Sequence, residues 1–574
     1  MKSKIINKFL VVVASCATLS SCLELSPLDQ LSDGTMWVSA NDFTSFANNF
    51  YSSTRDFNEL FDNIHSDVRA DLYTGSTYNS YSYGSVSIPT TDSNYTTPYS
   101  WIRKFNLLIE NAEDFSDQDA ISQPLGEAYY FRACQYFELL TVFGEAIIVL
   151  DVLDVDSPEL SAPRNSREEV IKQIVSDLQT SITYLPAFST LSEGYGRVSQ
   201  EAAWAQLARM ALFEGTWQKN RYGASDHTSW LFETAISAAE AVMNSNQFVL
   251  FGSAGSATAD LEDAYRYLFI LENVQSNPKN YVKSDNKEYI FARQYETDVY
   301  TSGKAISHSF QNNGIYISKY FADLFAMNTT GVPITAEGSG FAGYTDSPTS
   351  EFVNRDLRMD MIMLKPGEQY YAYGNGRVSW DSSDEVNLVT CTGSNGSGYN
   401  NHKWTADRDH VSTNESFDFP VIRYAEVLLT YAEAVYELND AISNDDLNKS
   451  LNLVRWRSNP TMPGLSNELV AQYDLDMQTE IRRERSVEMF MEACRPDDIA
   501  RWYIGSDMMG KDIKGVHYDT FTKAGITIKY TSTDSDGFCV VETGRTWNDK
   551  QYLYPIPSEQ LELNASLVQN PGWE

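Results

Sequence analysis

The sequence predicts a mainly α protein, a tetratricopeptide-like helical scaffold that carries a loop-rich region containing short strands. Three observations predict it. Apolar residues recur at helical spacing up to about residue 250 and again beyond residue 415. Small residues, chiefly Ala, interrupt those stripes and let neighbouring helix backbones approach closely. Between the two stretches the composition turns to Gly, Ser, Asn, Asp and Tyr, with few long helical patterns.

Taken in order, Trp101, Phe105, Leu108 and Ala112 mark one face of a helix, and residues 121–142 form a longer one. Ser166 with Glu169 three positions on is a capping box for a helix that runs toward Leu185, where Pro186 stops it. Gln200–Leu212 and Trp230–Met243 are the next two. Their spacing of about 34 residues is that of a tetratricopeptide array, although the repeats are too degenerate for spacing alone to establish it. Helices return at Pro420–Leu438, Leu447–Trp456 and Met477–Ala493. The expected division is therefore 1–21 as a signal peptide and 22–250 as a helical region with a loop insertion at 73–99. Residues 251–415 form the loop-rich region, and 416–574 a second helical region ending in a docked tail.

The first residues carry an export signal. Lys2, Lys4 and Lys8 precede a short apolar run from Phe9 through Ala14, which is too short to span a membrane. The small residues of Leu19-Ser20-Ser21-Cys22 suit processing at Cys22 and its lipidation, so the chain is expected to be anchored rather than spanning. Cleavage at Cys16, or a plain secretory signal, is the rival. The net charge is -35, and loss of the three signal lysines takes it from -35 to -38. Such acidity repels nucleic acid and favours neutral or cationic partners.

Beyond Cys16 and Cys22 only Cys134, Cys391, Cys494 and Cys539 remain, without metal-ligand spacing. Cys134 and Cys494 fall in helical patterns and read as buried thiols. Cys391 and Cys539 either pair or stay free; the sequence does not choose. The six histidines, His65, His227, His308, His402, His410 and His517, form no zinc signature. Gly338-Ser339-Gly340-Phe341-Ala342-Gly343 matches G-x-G-x-x-G but opens no helix, so it reads as a loop. Asp534-Ser535-Asp536-Gly537 lacks the ligand register of a calcium loop and reads as a surface turn. Close carboxylate pairs are guaranteed by chance among 78 acidic residues and identify no glycosidase. No cofactor and no catalytic residue are expected; whether a structural metal is present is left open.

Aromatic supply is the positive signal, with 35 Tyr and 11 Trp. Tyr73, Tyr78, Tyr81 and Tyr83 crowd one polar loop; Tyr370, Tyr371, Tyr373 and Trp380 crowd another, followed by Trp404. A rigid ring offers a flat apolar face at low entropic cost, which suits the C–H face of a sugar. The competing role for each ring is to anchor its loop to the helices. Tyr73, Tyr78, Tyr81, Tyr83, Trp380 and Trp404 are the candidate glycan contacts.

Four stretches carry a sharper signal. Tyr129-Tyr130-Phe131-Arg132-Ala133 leads through Tyr136-Phe137 to Phe143-Gly144. Phe419-Pro420-Val421-Ile422-Arg423-Tyr424-Ala425-Glu426 continues into Tyr431-Ala432-Glu433-Ala434. Ile481-Arg482-Arg483-Glu484-Arg485 is followed by Glu488, Glu492, Arg495, Asp498 and Arg501-Trp502. The last runs from Tyr554-Pro555-Ile556-Pro557 to Asn570-Pro571-Gly572-Trp573. Together they resemble the SusD/RagB family of outer-membrane nutrient-binding lipoproteins over essentially the whole mature chain. The resemblance implies a SusD-like fold and a cell-surface lid on a SusC-like TonB-dependent outer-membrane transporter. It also implies capture of a neutral oligo- or polysaccharide without catalysis. A structural lid with weak glycan affinity and a peptide-binding relative are its alternatives. Ala493 and Ile499 stand where the family commonly has Gly and Leu, and Pro496 is tolerated if a helix starts there. The motif residues also have local explanations: Ile422, Ala425, Leu429 and Ala432 supply an interior stripe, Arg423 and Glu426 meet one turn apart or pair with another helix, and the Arg482–Glu488 cluster forms structural ion pairs.

Overall fold

The computed structural model describes residues 36–574 except 62, 76, 275, 298, 312–314, 346, 372–387, 395 and 407–414, so Cys22, Tyr373 and Trp380 lie outside the described residues. Six helices form the first part: α1 (Ala40–Ala47), α2 (Ser93–Glu113), α3 (Ser122–Phe143), α4 (Arg167–Tyr184), α5 (Gln200–Tyr222) and α6 (Asp226–Ser245). From α2 onward each packs on the next, and their facing residues make one continuous core with Leu139, Ile174, Ala208 and Ala235 at its centre. The caps are those the sequence announces. Glu169 N–H donates to Ser166 Oγ at 3.3 Å, and Ser166 N–H returns to Glu169 Oε2 at 2.8 Å. Gly144 ends α3 at φ +83°, where the Cβ of any other residue would be strained.

The array continues across a long excursion. Helix α7 (Tyr424–Asn439) packs against α6 and α5, and α8 (Leu451–Ser458), α9 (Met477–Glu488) and α10 (Arg495–Trp502) pack onto this group. Two expectations need correction here. The stretch Pro420–Leu438 is not helical throughout, because Phe419–Arg423 is a strand, β8, paired antiparallel with β2 (Tyr289–Arg293). Pro420 lacks the N–H a central strand would need, and it sits opposite Ala292 beside a register shift in a two-stranded ladder. Likewise α9 stops at Glu488 instead of Ala493. Met491 and Ala493 then adopt left-handed φ of 54° and 57°, turning the chain so that Glu488 and Glu492 both reach Arg423.

The region between α6 and α7 is loop-rich with short strands, as expected. The other strands are β1 (Tyr73–Thr74), β3 (Tyr316–Ile317), β4 (Met363–Leu364), β5 (Gln369–Tyr371), β6 (Leu388–Thr390), β7 (Asn400–Asn401), β9 (Ile513–His517) and β10 (Phe538–Glu542). All pairings are two-stranded and antiparallel: β1 with β3, β2 with β8, β4 with β7, β5 with β6 and β9 with β10. A second core, containing Phe269, Phe321, Met359, Trp404 and Phe490, lies beneath these loops.

Where scaffold and excursion meet, the charged motif residues are buried together. Arg423 donates to Glu288, Glu488 and Glu492, each at 2.7 Å. Arg457 contacts both oxygens of Glu488 at 2.5 and 2.6 Å, and Arg358 joins at 3.0 Å. Burial alone would raise the Glu488 carboxyl, but the guanidiniums of Arg457, Arg423 and Arg358 outweigh it and hold it at about 2. Arg482 pairs with Glu437, Glu484 with Arg358 and Arg455, and Arg485 with Asp498. Glu426 pairs with Arg209 and Arg485, not with Arg423. These are structural pairs joining helices distant in sequence.

At the C-terminal tail Asn570 donates to Phe143 O at 3.0 Å and the Trp573 indole N–H to Lys550 O and Leu553 O, both at 3.0 Å. Cys391 and Cys539 are free buried thiols, and Asp534 Oδ1 closes a turn by accepting from Asp536 and Phe538 N–H. Among the described residues no helix is long and apolar enough to cross a membrane, and no group of three or more His, Cys, Asp or Glu gathers as a metal site.

Candidate functional site

The polar-aromatic loop after β1 separates its tyrosines by orientation. Asn79 Oδ1 accepts from Tyr81 N–H at 3.0 Å and Ser82 N–H at 3.2 Å, an Asx turn that folds the loop back on itself. The turn brings Tyr78 and Tyr83 face to face, ring centroids 4.5 Å apart and planes 28° from parallel. Tyr78 is 64% exposed, and its hydroxyl is tied to Ser85 Oγ at 2.5 Å. Gly84 follows at φ +63°; a Cβ there would meet Thr546 Oγ1 at 2.6 Å, and that hydroxyl donates to Tyr83 O at 2.7 Å. The pair is therefore a solvent-facing platform fastened to the C-terminal part of the chain.

The other candidates face inward. Tyr81 is half-buried, stacked on Tyr554 at 5.7 Å, with its hydroxyl donating to Gln551 O at 3.1 Å; it tethers the loop. Tyr73 is fully buried and packs edge-on against Phe490 at 5.5 Å. Trp404 is fully buried too, its indole N–H donating to Met491 O at 2.9 Å and its ring meeting Phe57 and Phe269 at 5.3 and 4.9 Å. Neither presents a face to a glycan, so both are withdrawn as contacts: these rings serve the second core. Trp380 lies outside the described residues.

Residues that sequence reasoning missed complete the surface. Glu542, at the end of β10, accepts from Thr74 Oγ1. Partial burial and the nearby Glu542 carboxylate push the Tyr83 phenol up. The same strand begins at Phe538, which lines a cleft of about 460 Å³ together with Asp71, Lys319, Tyr320, Lys511 and Lys514. Tyr320 is 39% exposed, Arg495 binds Asp71 through two 2.7 Å hydrogen bonds, and Lys514 pairs with Asp534 at 2.6 Å. β10 thus runs from the cleft to the platform, placing an exposed aromatic face and hydrogen-bonding groups along one line. No local spacing marks Glu542 or Tyr320, because long-range pairing brings them here. A separate internal cavity of about 90 Å³, lined by Arg55, Cys134, Arg209 and Asp497, lies among scaffold ion pairs.

Comparison with known proteins agrees with this architecture. A model described as the SusD family matches residues 270–573, and one described as "Starch-binding associating with outer membrane" matches residues 5–212. A SusD-like protein of Bacteroides ovatus is 24% identical over 493 residues, covering 82% of this chain and 78% of its own. SusD-like protein P2 of Formosa agariphila is 23% identical over 487 residues, covering 83% and 79%. Among solved structures, a SusD-like protein from Bacteroides fragilis superposes with a TM-score of 0.71 at 22% identity, over 95% of this chain and 100% of that one. A SusD-like carbohydrate binding protein from the same species gives 0.70 at 20% identity, over 93% and 99%. At these identities the structural likeness speaks for the fold.

Proposed function

The chain belongs to the SusD family, whose model matches more than half of it, and from that premise we propose that it captures a neutral oligo- or polysaccharide at the cell surface and delivers it, uncut, to a SusC-like TonB-dependent transporter in the outer membrane. The observation that supports glycan capture is the exposed Tyr78 ring stacked on half-buried Tyr83, beside Glu542 and the Phe538–Tyr320 cleft. A sugar ring stacks its C–H face on Tyr78, and its hydroxyl rim meets the Glu542 carboxylate and the cleft's polar groups. Trp380 remains a proposed further contact. The lipid on Cys22 tethers the body to the membrane; the lysines, short apolar run and small residues before that cysteine support this. The matches to families and relatives with carbohydrate-related descriptions support the same reading.

Calorimetry of the purified protein against a panel of neutral oligosaccharides is the deciding experiment, followed by a crystal structure with the tightest ligand. Sugar density on the Tyr78–Tyr83 platform is expected; density remote from both rings and from the cleft would sink the assignment.

A further inference from the structure

A second concavity, of about 640 Å³, shares no lining residue with that cleft. It lies between the N-terminal half of α2, the 147–160 segment and the C-terminal helix α11 (Ser558–Leu563). Its walls are aliphatic and open to solvent: Val155 is 97% exposed, Leu563 72% and Leu160 48%. Exposed apolar side chains gathered in one concavity and rimmed by polar groups make a surface suited to a binding partner.

The walls are held firmly. Asn106 Nδ2 donates to Val149 O at 3.0 Å and Asp151 O at 3.1 Å, and Ile147 N–H donates to the Tyr99 hydroxyl at 2.9 Å. On the other side Ser558 N–H donates to Pro89 O at 3.0 Å, and Asn564 donates to Ala162 O at 2.8 Å. A groove already ordered loses little entropy on docking. Its rim is acidic. Asp151, Asp154 and Glu159 line it, and none forms an ion pair with a described residue. The lining cation is Arg103, which donates to Leu153 O at 2.7 Å.

We propose that this groove docks an apolar segment of a partner protein whose flanks carry Lys or Arg. The aliphatic floor sets the first requirement and the unpaired carboxylates the second, through charge complementarity at the rim. A second copy related by a twofold axis would set the acidic rim against itself, and an anionic membrane surface would be repelled. The inference does not rest on the glycan reading.

The test places a photo-crosslinking amino acid at Leu563 of the full-length protein in its own cells and reads the crosslinked peptide by mass spectrometry. The expected product is one partner segment, apolar with Lys or Arg flanks. Its yield is expected to fall at least about fivefold when Val155→Asp and Leu160→Asp are introduced together. Both side chains are exposed, so an unchanged thermal midpoint of that double variant separates lost docking from lost folding. Crosslinks to lipid, to a second copy or to an acidic or polar segment overturn the proposal. So does the absence of any product, or a yield that the double variant leaves unchanged.

Discussion

Arg423 donates from Nη1 to Glu488 Oε1 at 2.7 Å, joining the strand that closes the excursion to the end of α9. Neither residue is solvent-accessible enough to be a ligand contact, and each also binds further charged partners. The pair is the hub through which scaffold and loops are registered.

Glu488→Gln leaves Arg358, Arg423 and Arg457 buried with one fewer negative charge between them. Removing one member of a buried ion cluster costs about 3–5 kcal/mol, because the charges left behind cannot be rehydrated. Urea denaturation should show an unfolding free energy lower by that amount, and an unchanged value would remove the hub role.

Acid should destabilise the protein through the same group. The folded Glu488 carboxyl sits at about 2, below its ordinary 4.5, so its stabilisation is complete above 4.5 and is lost as pH falls through 2. Burial would likewise raise Glu426 and Glu433, but the guanidiniums led by Arg209 and by Arg501 outweigh it and leave both at about 2. Thermal midpoints are expected to drop between pH 4.5 and 2.

Glu351 works in the opposite sense. Burial pushes it up to about 7 despite a 2.9 Å hydrogen bond from the Tyr399 hydroxyl. The folded state holds this proton more tightly than the unfolded state, so stability declines as pH rises from 4.5 through 7. Glu351→Gln should remove that decline and, at pH 8, leave the variant more stable by up to about 3 kcal/mol. Parallel pH profiles of the two proteins would refute it.

Tyr78→Ala removes one half of the stacked platform. A lost aromatic contact of about 1 kcal/mol corresponds to a roughly five- to tenfold weaker glycan affinity, whereas Tyr78→Phe keeps the face and should bind nearly as the wild type does. Trp404→Ala is expected to destabilise the fold by about 3–5 kcal/mol, since its ring is in the second core. Calorimetry paired with thermal melts separates the two effects.

The helical half of this architecture is legible because it is local. The capping box at Ser166, the Pro186 stop and the Ala-rich stripes of α5 and α6 each act within a few residues of one another. The strand at Phe419–Arg423 was not legible, since its partner Tyr289–Arg293 is remote and its apolar residues suit either period. For the proposed site, the sequence singles out the polar loop that carries the Tyr78–Tyr83 pair but not which of its rings stack there. The Asn79 turn leaves Tyr78 exposed and stacked on Tyr83 while Tyr81 is tied to Gln551 and Tyr554, and Tyr73 and Trp404 owe their burial to contacts from distant segments.

The β2–β8 ladder has an evolutionary consequence. It joins the two ends of the 294–418 stretch, as a clasp would. Lengthening an exposed, flexible turn inside such a closed stretch costs little, about 0.6 kcal/mol for each doubling. Surface turns within that stretch can therefore vary in length, while Arg358 at the Glu488 cluster, Ile317 opposite Tyr73 and Trp404 bonded to Met491 hold the remainder to the rest of the chain.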